Sequence, residues 1–347
     1  MTKRKESPGP VRRVLRAIAA LVLLLGLGAA AVVYLDYRRF ADTPLAIEEE
    51  RTIEVELGTP FVLIVRNLEQ DGLTGAHPLM WRALALEMGV MDGLHAGEYV
   101  IGHGTTPRQL LQRMARGGVN QHSFTIVEGW TFRELRAALA KVPTLEHATS
   151  ALSDAELMAL IGAAGVHPEG RFLPETYKFP KGWSDQKLLE RAHAALKSTL
   201  EREWAERDEG LPLESAEQAL VLASIVEKET GRPDERPRIA GVFVRRLQKG
   251  MLLQTDPTVI YGLGTSFDGN LTRAHLVGDT PYNTYVRPGL PPTPIALPGR
   301  AAISAVLHPA AGAEIYFVSR GDGSHEFTAT LDEHNRAVAR YQLRRGR

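Results

Sequence analysis

Val221-Leu-Ala-Ser-Ile-Val-Glu-Lys-Glu-Thr-Gly231 sets a carboxylate, Glu229, in line with the apolar face of a helix, where an ordinary surface glutamate would not stand. The helix has a legible start. Ser215 followed by Gln218 fits a capping box, with Glu214 and Glu217 near the positive end of the dipole. Gly231 and Pro233 end it. At about 100° per residue, Leu222, Ile225 and Val226 lie within roughly 60° of Glu229, while Glu227 points to the opposite side. A carboxyl held against apolar neighbours has its charged form disfavoured, so its pKa rises and it keeps its proton closer to neutral pH. That is the state a general acid needs. The alternative is a helix-end glutamate that reaches water or pairs with Lys228 or Arg232.

Around this helix the chain has room for about two domains in 347 residues, with 44% hydrophobic and 24% charged residues to build their cores. It has no cysteine, which excludes disulfides and thiolate metal sites. The net charge of zero hides an asymmetry. Residues 1–16 carry Lys3, Arg4, Lys5, Arg12, Arg13 and Arg16 against Glu6 alone, net +5, which leaves −5 for the rest and argues against nucleic acid as a partner.

Ala17 to Leu35 form nineteen consecutive residues without a charge, a length that just spans a bilayer as a helix. The basic flank predicts a cytoplasmic N-terminus, with everything after Asp36 on the far side. A cleaved signal peptide is the competing reading, because Gly28 to Ala31 offers small residues. The run continues through Val32, Val33, Tyr34 and Leu35, which favours an uncleaved single-pass anchor.

Residues 36–50 are polar and read as a linker. A small mixed unit follows over 51–119, with strands at Thr52–Glu56, Phe61–Val65 and Gly97–Ile101 and helices at Pro78–Glu87 and Thr106–Arg116. It is too short for a deep active site, so its expected job is binding or positioning. The larger region, 120–347, opens on a strand at Ser123–Val127 and a helix starting in Gly129–Glu134. Short helices are expected over 140–168, an extended aromatic segment over Gly170–Phe179, and a long helix over Asp185–Glu206. A further helix over 234–249 follows that of Glu229, and a hairpin turns at Gly321-Asp-Gly323 between strands Glu314–Ser319 and Glu326–Thr330. The predicted class is therefore α+β: one transmembrane helix, a small α/β subdomain and a larger mixed domain.

Downstream of Glu229 come Gln254-Thr-Asp-Pro-Thr-Val-Ile-Tyr261, Pro281-Tyr-Asn-Thr-Tyr285, Gly289-Leu-Pro-Pro292 and Ile295-Ala-Leu-Pro-Gly299, all loop-like. Hydroxyls, amides and aromatic faces suit a carbohydrate, and Gln254, Asp256, Asn283 and Tyr285 are the candidate contacts. The alternative is that Asp256 and Asn283 make local turns and the tyrosines belong to the core. His308, His325 and His334 are scattered and no His-Glu-x-x-His occurs, so neither metal nor cofactor is expected. Ser224 lacks the glycines of a nucleophile elbow.

These segments together resemble the endolytic murein transglycosylase, or YceG-like, family. The matching pieces are Ala223-Ser-Ile-Val-Glu-Lys-Glu-Thr230, Leu253-Gln-Thr-Asp-Pro-Thr-Val-Ile-Tyr-Gly262, Tyr282-Asn-Thr-Tyr285, Gly289-Leu-Pro-Pro292, His308-Pro309, Tyr316-Phe-Val318, Gly323-Ser-His-Glu-Phe327 and Glu333-His-Asn335. They run in family order over about 170–345. The anchor and small module also match the family layout, in which a LysM-like subdomain precedes the catalytic domain; Gly97-Glu-Tyr99 carries that part.

The resemblance implies that Glu229 is the catalytic acid, the residue that helix geometry also selects over Glu227. It implies cleavage of the β-1,4 bond between N-acetylmuramic acid and N-acetylglucosamine in nascent peptidoglycan, leaving a 1,6-anhydro end and limiting strand elongation. The enzyme would sit in the inner membrane with its catalytic domain in the periplasm, and glycan polymerases would be its partners. One carboxyl suffices because the substrate supplies the nucleophile, unlike the paired carboxylates of most glycosidases. Asp256 is the candidate helper. Two rival readings remain: a hydrolase in which Asp256 activates water, and a non-enzymatic peptidoglycan-binding protein.

Overall fold

A computed structural model describes residues 10–47, 49–56 and 58–343. Residues 1–9 of the expected cytoplasmic tail (1–16) lie outside the described residues, as do 344–347. The chain divides into two compact units, Met1–Gln121 and His122–Arg347, both of mixed α and β structure.

The first unit begins with α1 (Pro10–Asp42), whose stretch from Val14 onward is long and apolar enough to cross a membrane. Its leucines stand bare, Leu21 57% and Leu24 66% exposed, as lipid-facing residues would. Of the linker expected over 36–50, residues 36–47 are instead built into the unit. The helix runs on to Asp42, and Ala41, Leu45 and Ile47 are buried in the core of the unit. Phe40 meets the Trp81 ring edge-on at 5.2 Å, and Arg108 ties the helix end by bonding Asp42 at 3.0 Å and Glu87 at 2.8 Å. The polar stretch conceals Tyr37, Phe40 and Ala41, which fall at helical spacing and pack on that core.

Next come β1 (Arg51–Val55), α2 (Phe61–Gln70), α3 (Pro78–Glu87), β2 (Gly97–Ile101) and α4 (Pro107–Ala115). β1 and β2 pair antiparallel with Ile53 opposite Tyr99. The strand expected at Phe61–Val65 is a correction: it is the first half of α2. Phe61, Ile64, Val65 and Leu68 fall on one stripe of period 3.6, and the last three are buried, a pattern invisible in a five-residue window. Thr106 caps α4 with a full capping box through Gln109.

The second unit opens with β3 (Gln121–Thr125), α5 (Phe132–Leu139), β4 (Leu145–Glu146), α6 (Asp154–Leu160), β5 (Thr176–Pro180) and β6 (Trp183–Ser184). β3 pairs with β5, and β4 with β6 in parallel. Between 140 and 168 only α6 is an α-helix; the other short helices expected there do not form. Gly170 leads into the extended segment at φ 77°, where a Cβ would come within 2.5 Å of Pro294.

Helices dominate the rest: α7 (Asp185–Ala205), α8 (Ala216–Glu229), α9 (Arg236–Gln248), α10 (Asp256–Leu263), α11 (Arg273–Val277) and α12 (Arg300–Leu307). The hairpin β7 (Tyr316–Ser319) and β8 (His325–Thr328) then leads to α13 (Leu331–Val338). α10 corrects the loop expected over Gln254–Tyr261. Pro257 in its first turn lacks only a hydrogen that no helical carbonyl would accept, so proline starts a helix here.

α8 is the central element. Residues 219–226 are all buried, packed with Ile239, Phe243, Ile303 and Val306. Full burial of Ile225 or Val226 contributes about 2 kcal/mol each. The helix thus has no solvent face along this stretch. Its N-terminal cap also departs from the expected box: Ser215 accepts from the Gln218 N–H, but the Gln218 side chain accepts from the Glu214 N–H instead.

Candidate active site

Glu229 is the last helical residue of α8, and Thr230 turns away in extended geometry. Its side chain enters a cavity of about 460 Å³ within the second unit. Burial pushes the carboxyl pKa up to about 6. A hydrogen bond donated by the Thr255 hydroxyl and the charges of His325 and Arg246 act against that rise, while Asp256 adds to it.

Thr255 is itself anchored. Its N–H donates to Thr284 Oγ1 at 3.1 Å, and Thr284 shares a 2.8 Å hydrogen bond with Thr258. Ahead of it, Gln254 holds φ 53°, the only non-glycine residue with positive φ among the described residues. Such a conformation costs on the order of 1 kcal/mol and is maintained by surrounding bonds. Here the Gln254 N–H donates to Thr284 O at 3.1 Å, and Arg246 Nη1 donates to Gln254 Oε1 at 3.3 Å.

Asp256 begins α10 and is exposed at the pocket edge, accepting the Tyr285 hydroxyl at 2.6 Å. Burial and that carboxylate hold the Tyr285 pKa above its ordinary value. The structure therefore brings Glu229, Gln254, Asp256 and Tyr285 to one cavity.

Asn283 is not among them, which corrects its assignment as a sugar contact. It is fully buried; its Nδ2 donates to the carbonyls of His275, Leu276 and Gly278, and its Oδ1 accepts from the Tyr285 N–H. The amide pins the loop that presents Tyr285 and leaves nothing for a ligand. The Ser224 hydroxyl is likewise occupied, donating to Val221 O at 2.7 Å and accepting from Ile295 N–H at 2.9 Å.

Glu227 does point away from Glu229, yet it is no surface residue. Its side chain is 4% exposed, pairs with Arg236 at 3.2 Å and accepts the Gly299 N–H at 2.9 Å. Burial raises its pKa too, against the pull of those two partners. Because α8 is buried all round, an apolar face alone does not separate the two glutamates. Their partners do.

Several pocket residues escaped the sequence reading as functional groups. Glu235 grips His325 twice, accepting its backbone N–H at 3.0 Å and pairing with its Nδ1 at 2.7 Å. That fixes the ring, wedged edge-on against Phe317 at 5.4 Å, on the pocket wall. These partners are ninety residues apart, so no local pattern joins them. Arg246 was legible in principle: it shares the helical face of buried Val242 and Phe243, the same spacing that marks Glu229. Thr255, Tyr316 and His334 lie inside quoted motifs, but nothing local assigns them a role.

A third carboxyl with a raised pKa also lies outside this cavity. Glu169 is 4% exposed and accepts from the Phe132 N–H at 2.9 Å and the Tyr261 hydroxyl at 3.2 Å. Burial raises its pKa to about 7.

The model of the YceG-like family matches residues 53–340 of this chain. A Bacillus subtilis protein named endolytic murein transglycosylase is 32% identical over 270 residues, covering 72% of this chain and 74% of its own length. The Streptococcus pneumoniae protein of the same name, in strain D39, is 27% identical over 363 aligned positions, covering 93% of this chain. The chain spans 64% of that relative, just under two thirds of its length. A crystal structure of a YceG-like protein from Listeria monocytogenes superimposes with a TM-score of 0.55 at 30% identity, covering 84% of this chain and 99% of the other.

Proposed function

The chain belongs to the YceG-like family, and from that premise we propose that it is a peptidoglycan lytic transglycosylase with Glu229 as its catalytic acid and base. The substrate is the glycan strand, cut at the β-1,4 bond between N-acetylmuramic acid and N-acetylglucosamine. Glu229, protonated, gives its proton to the glycosidic oxygen as the bond to the muramoyl C1 breaks. The resulting carboxylate takes the proton of the muramoyl 6-hydroxyl as that oxygen closes on C1. No water is consumed, and the product carries a 1,6-anhydro ring.

What carries this reading is a single carboxyl of raised pKa set into an open cavity. A pKa near 6 leaves a usable protonated fraction at neutral pH and a competent base afterwards. Asp256, bound by the Tyr285 hydroxyl, serves to orient that ring and to raise Glu229 through its charge. The names of the relatives from Bacillus and Streptococcus agree with this chemistry.

The same proposal places α1 in the inner membrane, with the N-terminus cytoplasmic and the catalytic unit periplasmic, beside glycan polymerases whose nascent strands it shortens. The first unit is read as LysM-like, supported by its order of strand, two helices and antiparallel partner strand.

The test is digestion of purified sacculi by the full-length protein in detergent, wild type against Glu229→Gln, with products read by mass spectrometry. Anhydro-muramoyl ends from the wild type and none from the variant are expected. Reducing ends would mean hydrolysis and sink the mechanism.

A further inference from the structure

One part of the cavity wall takes no part in the proton transfers. Arg246 of α9 is 8% exposed, yet no carboxylate lies within ion-pair distance of it among the described residues. Its Nε donates to Ile315 O at 2.7 Å, and its Nη1 to the carbonyls of Leu252 and Leu253 at 3.1 and 2.8 Å. Nη2 makes no hydrogen bond to any described residue. Glu229 acts on this guanidinium only from beyond ion-pair distance, so its burial is costly and an anion arriving in the cavity would relieve part of that cost.

The same wall holds His334 of α13, stacked on Tyr316 with ring centroids 5.0 Å apart, and Arg246 Cζ lies 5.2 Å from that Tyr316 ring. His334 Nδ1 is buried without a hydrogen-bond partner. Burial and the charge of Arg246 both depress the His334 pKa, so the ring stands beside the guanidinium as a neutral imidazole. Arg246, Tyr316 and His334 all line the cavity that holds Glu229.

We propose that Arg246 Nη2, with the His334 ring beside it, forms an anion-binding corner that receives a carboxylate carried on the lactyl arm of the muramoyl residue. This rests on the reading of the cavity as a glycan site. N-Acetylglucosamine is neutral, whereas the muramoyl sugar presents the lactyl carboxylate itself or, when substituted, the carboxylates of its attached peptide. A corner that attracts the anion fixes which of the two alternating sugars lies with its C1 beside Glu229. It therefore sets the register of cleavage and rejects a neutral polymer of N-acetylglucosamine.

The test uses the full-length chain in detergent carrying Glu229→Gln, so that bound ligand is not turned over, with affinities read by calorimetry. Four tetrasaccharides are compared: neutral chitotetraose, a muramoyl-containing glycan with free lactyl carboxylates, the same glycan amidated at those carboxylates, and the same glycan bearing peptides. A charge-assisted contact in this setting makes a carboxylate-bearing ligand bind about tenfold or more tighter than chitotetraose. Whether the free or the peptide-bearing form shows that gain identifies the source of the carboxylate. If the free lactyl group is the source, amidation removes the gain. In either case adding His334→Phe, which keeps the stack on Tyr316, reduces it. Equal affinity for all four overturns the anion corner while leaving the glycan reading intact. A gain that survives His334→Phe undiminished also overturns it. Binding of none of the four overturns the glycan reading, and the corner with it.

Discussion

Glu227 and Glu229 stand two residues apart at the end of α8, and their carboxylates meet opposite partners. Glu227 is closed off by Arg236 and the Gly299 N–H, while Glu229 accepts one hydroxyl and otherwise faces a cavity. Exchange of each for glutamine should therefore separate stability from catalysis. Glu227→Gln leaves Arg236 buried with weaker compensation and costs about 3 kcal/mol, lowering the melting temperature by roughly 10 °C. Glu229→Gln removes the proposed proton donor, so turnover on sacculi should fall at least about a thousandfold with the melting temperature little changed. Calorimetric melts and digestion rates of the two variants check this; the reverse pattern would reassign the catalytic carboxyl.

The pH profile follows from the raised carboxyl. In the proposed mechanism Glu229 acts first as an acid, so kcat/KM should fall as pH rises above about 6, approaching tenfold per unit. The Thr255 hydroxyl and the His325 charge both hold this pKa down. Thr255→Val and His325→Gln should each move the falling limb to higher pH, and a limb that moves the other way in both would remove Glu229 as its source.

Glu169 offers a stability readout that leaves catalysis aside. Its folded pKa, about 7, lies above the ordinary carboxylate value, so the folded state holds this proton more tightly than the unfolded one. Its contribution is complete below about pH 4 and is lost as pH rises towards and through 7. Thermal melts between pH 5 and 8 should show wild type losing on the order of 2 kcal/mol of stability. Glu169→Gln, which cannot ionise, should flatten that slope; an unchanged slope would show that another group titrates.

The absence of cysteine makes the proposed topology easy to probe. In spheroplasts, a membrane-impermeant maleimide should label Ser324→Cys, in the turn of the β7–β8 hairpin, and leave Thr2→Cys unlabelled until the membrane is permeabilised. Labelling at position 2 alone would invert the orientation.

Local signals were the ones that survived the passage from chain to fold. Pro78 opening α3, Thr106 with Gln109 opening α4, and the Gly321-Asp-Gly323 turn each act over a few residues, so the elements they start are visible in sequence. Phe61–Val65 failed because β-branched residues within a short window hide a helical stripe that becomes plain only when Leu68 is included. Within the site, Glu229, Gln254, Asp256 and Tyr285 were legible as polar residues crowded around one helix. Asn283 was misjudged because an amide's chemistry does not reveal whether it faces a ligand or its own backbone. The grip of Glu235 on His325 is a product of tertiary structure, joining the start of α9 to β8.

The unbroken passage of α1 into the core of the first unit has a mechanical outcome. Only seven residues, 36–42, separate the last apolar residue of the span from the helix end, a rise of about 10 Å. With the helix in a bilayer, this unit is a bracket bolted to a post. It cannot drift outward on a slack tether, and any rotation or tilt of the helix turns it as well. Its stand-off from the lipid is therefore set by helix length, and inserting residues at 36–42 would swing it by about 100° per residue while lifting it about 1.5 Å.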